Sequence, residues 1–232
     1  MALIVSFLSF RLERQNVKIR KFSPKSLCTT GSIVLIILFL QVACASVPVA
    51  SLCSGAGCYA IAKSEPWPNN VVVSGISLTF RGISMVIPSD PSAMASLPDA
   101  LLVKYADGAS VLVALTNGRG SLSPVPQGIS AREWADVLFS RTPNDINPNA
   151  ALANNKWEEI IQSKAVMIGD GLVSVYRQTP ITLYRVRSET LQPYSDDMII
   201  FDDRKADEFF RIGTKNLPHA LVDKILASIK IK

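Results

Sequence analysis

Residues 101–115 read Leu-Leu-Val-Lys-Tyr-Ala-Asp-Gly-Ala-Ser-Val-Leu-Val-Ala-Leu, two β-prone runs on either side of an Asp-Gly pair. This pattern is a strong short-range signal for a β-hairpin. With a two-residue turn, Val103 pairs with Leu112 and Tyr105 pairs with Ser110. The residues predicted to share one face are Leu101, Val103, Leu112 and Ala114. Both faces are largely apolar, so we expect a central hairpin covered on each side.

Two apolar runs precede this hairpin and two helical patterns follow it. Residues 76–80 and 83–88 predict strands, the second ended by a proline. Ser130 and Glu133 have the spacing of a capping box and predict a helix whose apolar face carries Trp134, Val137 and Leu138. Asn149 is a candidate cap of a second helix, whose apolar residues are Leu152, Trp157, Ile160 and Ile161.

A further short strand is predicted over residues 71–73, before the hairpin. In the second half of the chain, strands are predicted over residues 165–168, 172–178, 181–187, 198–201 and 208–212. A last helix begins near Pro218 and carries an apolar stripe of Leu221, Val222, Ile225, Leu226 and Ile229. This order predicts an α+β fold, a mostly antiparallel sheet with two or three helices packed on it and a C-terminal helix.

The order of elements resembles the Mog1/PsbP-like domains of small exported lipoproteins. In those domains an early strand ending in Ile-Pro, here Ile87-Pro88, precedes a meander and the chain finishes with a helix. The resemblance implies an exported α+β domain and assigns no functional residue. The sequence has neither the strand–helix alternation nor the Gly-rich loop of a Rossmann fold, so we expect no cofactor.

The net charge of +5 comes from the start of the chain. Residues 1–43 contain six basic side chains and one acidic one, whereas the remainder has 18 of each sign. After residue 43 there is no basic stripe with interleaved aromatics, so a nucleic-acid partner is not expected. Residues 1–43 show a basic region, an apolar run over 33–40 and then small residues, which is the anatomy of a secretory signal peptide.

The end of this leader, Leu40-Gln41-Val42-Ala43-Cys44, resembles the lipobox of bacterial lipoproteins. The resemblance implies cleavage before Cys44, a diacylglyceryl group on its thiol and acyl chains such as palmitate, which suffice for stable membrane anchoring. Gln41 departs from the family pattern, where an aliphatic residue is expected. In the Gram-negative lipoproteins that this leader resembles, a residue other than Asp after the cysteine, here Ala45, implies the outer membrane. Cleavage before Ser46 by an ordinary signal peptidase and an uncleaved membrane anchor are the alternatives.

Two further cysteines follow the leader. Cys53 and Cys58 enclose a Gly-containing segment and are predicted to form a disulfide in an oxidising periplasm. Free thiols, redox chemistry and metal binding are the alternatives. Residues 44–70 are rich in small and polar residues and are predicted to be a tether, with a single α+β domain over 71–232.

Two groups of residues are candidates for catalysis or metal binding. His219, the only histidine, has no Gly-x-Ser-x-Gly elbow to serve as its nucleophile, and we interpret it as a residue at the edge of an apolar face with a local partner. Six carboxylates lie close enough in sequence to suggest calcium binding, but they lack the EF-hand spacing. We therefore interpret them as solvated hairpin ends and expect no metal. They are Asp196, Asp197, Asp202, Asp203, Asp207 and Glu208.

A third group is basic. Arg185 and Arg187 lie two residues apart on a predicted strand and share a face, and the turn at 179–180 could bring Arg177 beside them. This makes the three arginines a candidate patch for an anionic partner. An ordinary polar outer face is the alternative.

We therefore predict a non-enzymatic lipoprotein of the bacterial cell envelope, anchored at Cys44 on the periplasmic side of the outer membrane. It would bind an unidentified periplasmic protein as an accessory subunit of an envelope or secretion complex. The alternatives are an immunity protein that neutralises a periplasm-acting toxin, and a periplasmic enzyme without a recognisable motif.

Overall fold

The computed structural model describes residues 53, 55–68, 74–117, 125–145, 154–188, 195–205 and 207–232. In these ranges the helices are α1 (Ala56–Tyr59), α2 (Ala131–Ser140), α3 (Asn154–Ile168) and α4 (His219–Ala227), with a 3-10 turn at Pro143–Asp145. The strands are β1 (Lys63–Glu65), β2 (Ile76–Phe80), β3 (Ile83–Ile87), β4 (Ala93–Leu97), β5 (Ala100–Lys104), β6 (Ser110–Asn117), β7 (Leu172–Gln178), β8 (Ile181–Arg187), β9 (Ser195–Asp202), β10 (Glu208–Lys215) and β11 (Lys230–Ile231).

The strands form two sheets. The larger has eight strands in the order β1-β7-β8-β9-β10-β6-β5-β4, and the smaller has the order β11-β3-β2. Neighbouring strands are antiparallel except β1, which runs parallel to β7. The predicted α+β fold, with a mostly antiparallel sheet and a C-terminal helix, is confirmed.

Each face of the large sheet has its own core. On one face, α1, α2 and α3 pack over buried side chains that include Val175, Tyr184, Ile199, Phe201 and Phe209. On the other face, α4 and the small sheet pack over Val103, Val113, Leu183, Ile200 and Ile212. Strands buried on both faces read as continuous apolar runs instead of alternating ones, which is the pattern of residues 101–103 and 198–201.

The β5–β6 hairpin forms in a different register from the predicted one. Val103 pairs with Val111, because the loop has three residues and not two. The amide of Gly108 donates to the Tyr105 carbonyl, and Gly108 has a φ of +82°, which gives a turn followed by a left-handed residue. The buried face consequently carries Leu101, Val103, Val111 and Val113. Both strands have neighbours on either side, so the hairpin is internal as expected.

The structure confirms the start of α2 and the apolar faces of α2 and α4. Ser130 and Glu133 form the predicted capping box of α2, and α4 buries Val222, Ile225 and Leu226. Residues 165–168, predicted as a strand, are the last turn of α3, since that helix continues to Ile168. Gly169 ends it with a φ of +60°. The predicted cap Asn149 and the run 71–73 lie outside the described residues.

The prediction that residues 44–70 form a tether is wrong for the later part of that range. β1 pairs with β7 at the edge of the large sheet, and the Ala62 amide donates to the Phe139 carbonyl at 2.9 Å. The fold therefore begins before residue 71. None of the helices in the described ranges is long and apolar enough to cross a bilayer.

Lys164 is fully buried on α3, where its ammonium group donates to the carbonyl of Arg141 at the end of α2. Burial lowers the pKa of Lys164 from 10.5 to about 8, against the opposing effect of Asp145. Between these two pKa values the unfolded chain binds more protons than the folded one, so stability rises with pH in that window. We expect urea denaturation to give a gain of about 2 kcal/mol from pH 7 to pH 9.5.

Lys164→Met is the matched variant, because methionine keeps the apolar stem without a titrating group. Its free energy of unfolding should lack this rise with pH. An equal rise in both proteins would assign the pH dependence to another group.

Candidate functional site

The structure separates the three arginines of the predicted patch. Arg177 pairs with Thr182 across the two-residue turn at Thr179-Pro180. It therefore lies on the Thr182 face of the sheet, whereas Arg185 and Arg187 lie on the opposite face. Arg185 is also buried, with 2% of its side chain exposed. The patch as predicted does not form.

Arg185 belongs instead to a cluster of polar side chains with Asp196, Asp223 and His219, in which Arg185 and Asp196 are buried. Arg185 Nη2 lies 2.9 Å from Asp196 Oδ2, and Nη1 donates to Asp223 Oδ1. His219 Nδ1 lies 3.2 Å from the same Oδ2 atom of Asp196. Burial opposes the charge of Arg185, but the two carboxylates together raise its pKa above the usual value. His219 thus has a partner on β9, 23 residues away in the sequence.

Most of the other acidic residues of this region also bind basic side chains. Asp197 contacts Arg211, and the Asp202 carboxylate accepts from Arg204 at 2.7 and 2.9 Å. The hydrogen bonds from Arg204 keep the pKa of Asp202 below its usual value. Glu208 lies 3.1 Å from Lys205. In the described ranges no three His, Cys, Asp or Glu side chains are placed to hold a metal ion.

A recess of about 410 Å³ lies on the helical face, where α2 begins beside the β7–β8 turn and the β9–β10 hairpin. Its lining consists of Arg132, Arg177, Thr182, Asp202, Asp203 and Lys205. None of the predicted elements contains more than one of these residues, and the sheet register brings them together. Of the predicted patch, only Arg177 lines this recess.

The charges in the recess are partly neutralised. Asp203 binds Arg132 at 3.1 Å and accepts a hydrogen bond from Thr182 at 3.2 Å. The Arg132 guanidinium also lies over the Phe201 ring, 5.2 Å from its centroid. Arg177 is exposed at the rim. The lining carries three cations and two carboxylates, so it favours an acidic group of a partner.

Cys53 and Cys58 are joined by a disulfide, with their Cα atoms 6.0 Å apart. Both residues are buried, and they pack in the same core as α2 and α3. Cys44 and the leader lie outside the described residues.

No family model and no curated protein matches the sequence significantly. A solved structure from Bacteroides thetaiotaomicron VPI-5482 is similar over 69% of this chain and 49% of that chain, with 11% identity and a TM-score of 0.33. This chain thus spans about half the length of that protein. A likeness at that score carries no argument about function.

Proposed function

We propose that this chain is a lipid-anchored protein of the bacterial cell envelope that binds a protein partner, as an accessory subunit of an envelope or secretion complex. The anchor is Cys44, and the partner contact is the recess around Arg177.

The observation that carries this proposal is the disulfide at the start of the fold. Disulfides persist in oxidising compartments such as the periplasm and are rare in the cytosol. Cys53 and Cys58 are buried among the helices, so this bond is part of the domain core. It follows the lipobox-like Cys44 by only nine residues in the sequence, which supports export and anchoring in one segment.

The recess supports binding. Its side chains come from one helix, three strands and the turn of the β9–β10 hairpin, so most of them are held on rigid elements. Arg185 on β8 and His219 on α4 both contact Asp196 on the opposite face of the sheet. The charged groups that line the recess are available for recognition, and an acidic side chain of the partner would pair with Arg177.

The anchor is tested by the intact mass of the protein purified from membranes of an expressing bacterium, beside a Cys44→Ser variant. We expect a diacylglyceryl-modified chain that starts at Cys44, and its loss in the variant. An unmodified chain starting at Ser46, or an uncleaved chain, would contradict the anchor.

The partner contact is tested by a photo-crosslinking amino acid at exposed Thr179, beside the recess, in living cells. We expect an adduct of one discrete mass, whose yield falls about tenfold in Arg177→Glu because a like charge replaces the complementary one. The same crosslinker at exposed Ala106, at the tip of the β5–β6 hairpin, should give no such adduct.

Lys104→Glu is the matched charge reversal, since Lys104 is exposed and far from the recess along the sheet. It should leave the yield unchanged. An adduct that survives Arg177→Glu would rule out the recess as the contact.

A further inference from the structure

The recess contains two arginines whose partners differ. Arg132 Nη1 donates to Asp203 Oδ1 at 3.1 Å. Arg177 has no acidic partner among the described residues, and its guanidinium is hydrogen-bonded to the hydroxyl of Tyr184. Both arginines line the recess. The protein's own carboxylate therefore occupies the anion position of one arginine, while that of the other is available to a partner.

The pair of Arg132 with Asp203 can be exchanged for an external carboxylate. The Arg132 side chain is 33% exposed and that of Asp203 is 38% exposed, so a ligand can reach both. An exposed ion pair of this kind stabilises a protein only slightly. The Asp203 carboxylate also accepts a hydrogen bond from Thr182 at 3.2 Å. Asp203 would therefore keep a partner after Arg132 had bound another anion.

Arg132 is held in place by contacts other than Asp203. Its guanidinium lies over the ring of Phe201, 5.2 Å from the centroid, and Phe201 is buried in the core under α2. Asp136, one turn later on α2, lies 3.9 Å from Arg132 and is not part of the recess lining. The guanidinium can therefore stay where it is when its anion is exchanged.

The size of the recess limits the spacing of the anions that it can bind. A sphere of 410 Å³ is about 9 Å across. Side chains two residues apart in an extended segment lie on the same side, about 7 Å from one another. We propose that the recess binds an extended peptide segment of the partner with two carboxylates two residues apart, of which one pairs with Arg177 and the other replaces Asp203 on Arg132. This inference rests on the proposed function of the recess.

Asp203 then determines which acidic segments bind. A segment with one carboxylate binds Arg177 and leaves the internal pair of Arg132 and Asp203 intact. A second carboxylate has to compete with Asp203, so it adds less to the affinity than a free arginine would allow. The internal carboxylate thus weakens binding to acidic segments in general, which is a device for specificity.

The test uses the full chain, purified from membranes in a nonionic detergent and kept at low ionic strength. The probes are two capped, dye-labelled peptides, Gly-Glu-Gly-Glu-Gly and Gly-Glu-Gly-Gln-Gly, and fluorescence anisotropy measures their affinities. Asp203→Asn removes the charge and keeps an oxygen that can accept from Thr182. We expect this variant to bind the peptide with two glutamates about threefold more tightly than the parent does. Its gain for the peptide with one glutamate should be less than twofold.

Two further variants distinguish exchange from a general change in charge. Asp136→Asn removes the other carboxylate near Arg132, outside the recess, and should leave both affinities unchanged. In an Arg132→Gln background, Asp203→Asn should give no gain, because no cation is left to be released. Matching circular dichroism spectra would show that all these chains are folded.

The outcomes separate this inference from the proposed function. A gain of equal size in Asp136→Asn, a gain that persists with Arg132→Gln, or no gain in Asp203→Asn would overturn the inference and leave the contact at Arg177 standing. An adduct at Thr179 that survives Arg177→Glu would contradict the proposed function, whatever the peptides show.

Discussion

Arg185→Met is expected to lower the free energy of unfolding by about 3–5 kcal/mol, because it leaves a buried carboxylate without its main partner. Asp196 has 1% of its side chain exposed, and Arg185 lies 2.9 Å from it. His219, at 3.2 Å, would remain beside the same oxygen. Urea denaturation followed by circular dichroism at pH 7 measures this loss.

Two control variants identify the cause. Asp223→Ala removes the second partner of Arg185, but Asp223 is 49% exposed, so we expect a loss below about 1 kcal/mol. Arg185→Met combined with Asp196→Leu removes both buried charges and should recover most of the stability lost in the single variant. If the double variant is less stable than Arg185→Met, the cluster adds more to the free energy of unfolding than the mutual neutralisation of two buried charges explains.

Trp134→Ala should have an effect of similar size, about 3–5 kcal/mol, through the cavity it leaves. Trp134 is 1% exposed and stacks on Phe209 with the ring centroids 5.6 Å apart. It therefore joins α2 to the large sheet on the same face as the recess. Thermal or urea unfolding followed by circular dichroism avoids the change in fluorescence that the substitution itself causes.

Trp157→Ala is the matched control. Trp157 lies on α3 and is only partly buried, so part of its surface already contacts water. We expect a clearly smaller loss than for Trp134→Ala. Equal losses would mean that the helical core relaxes as a unit around either ring.

The sequence predicts an element well where the signal for it lies within a few consecutive residues. The Ser130 and Glu133 capping box depends on four consecutive residues, and it forms as predicted. The hairpin register depends on whether Gly108 adds one residue to the loop, and apolar side chains on both faces cannot discriminate the two registers. Residues 165–168, Ala-Val-Met-Ile, are compatible with either a strand or a helix. They are helical because they continue the preceding turns of α3.

The candidate site was less predictable. Periodicity along one strand correctly puts Arg185 and Arg187 on one face, but the two-residue turn puts Arg177 on the other. Arg132 and Lys205 join Arg177 only through tertiary packing, which no local pattern contains. Asp196, which lies beside His219, is likewise 23 residues away from it on β9.

β4 has a consequence for how the protein behaves at high concentration. Among the described strands it is the last of the large sheet, all five of its residues are exposed, and none is charged. The backbone donors and acceptors along its outer edge are a template for edge-to-edge pairing, which charged residues usually discourage. Pro91 and Pro98 confine this template to a short length. Self-association of overproduced protein should therefore start at β4, and Ala95→Lys would increase its solubility.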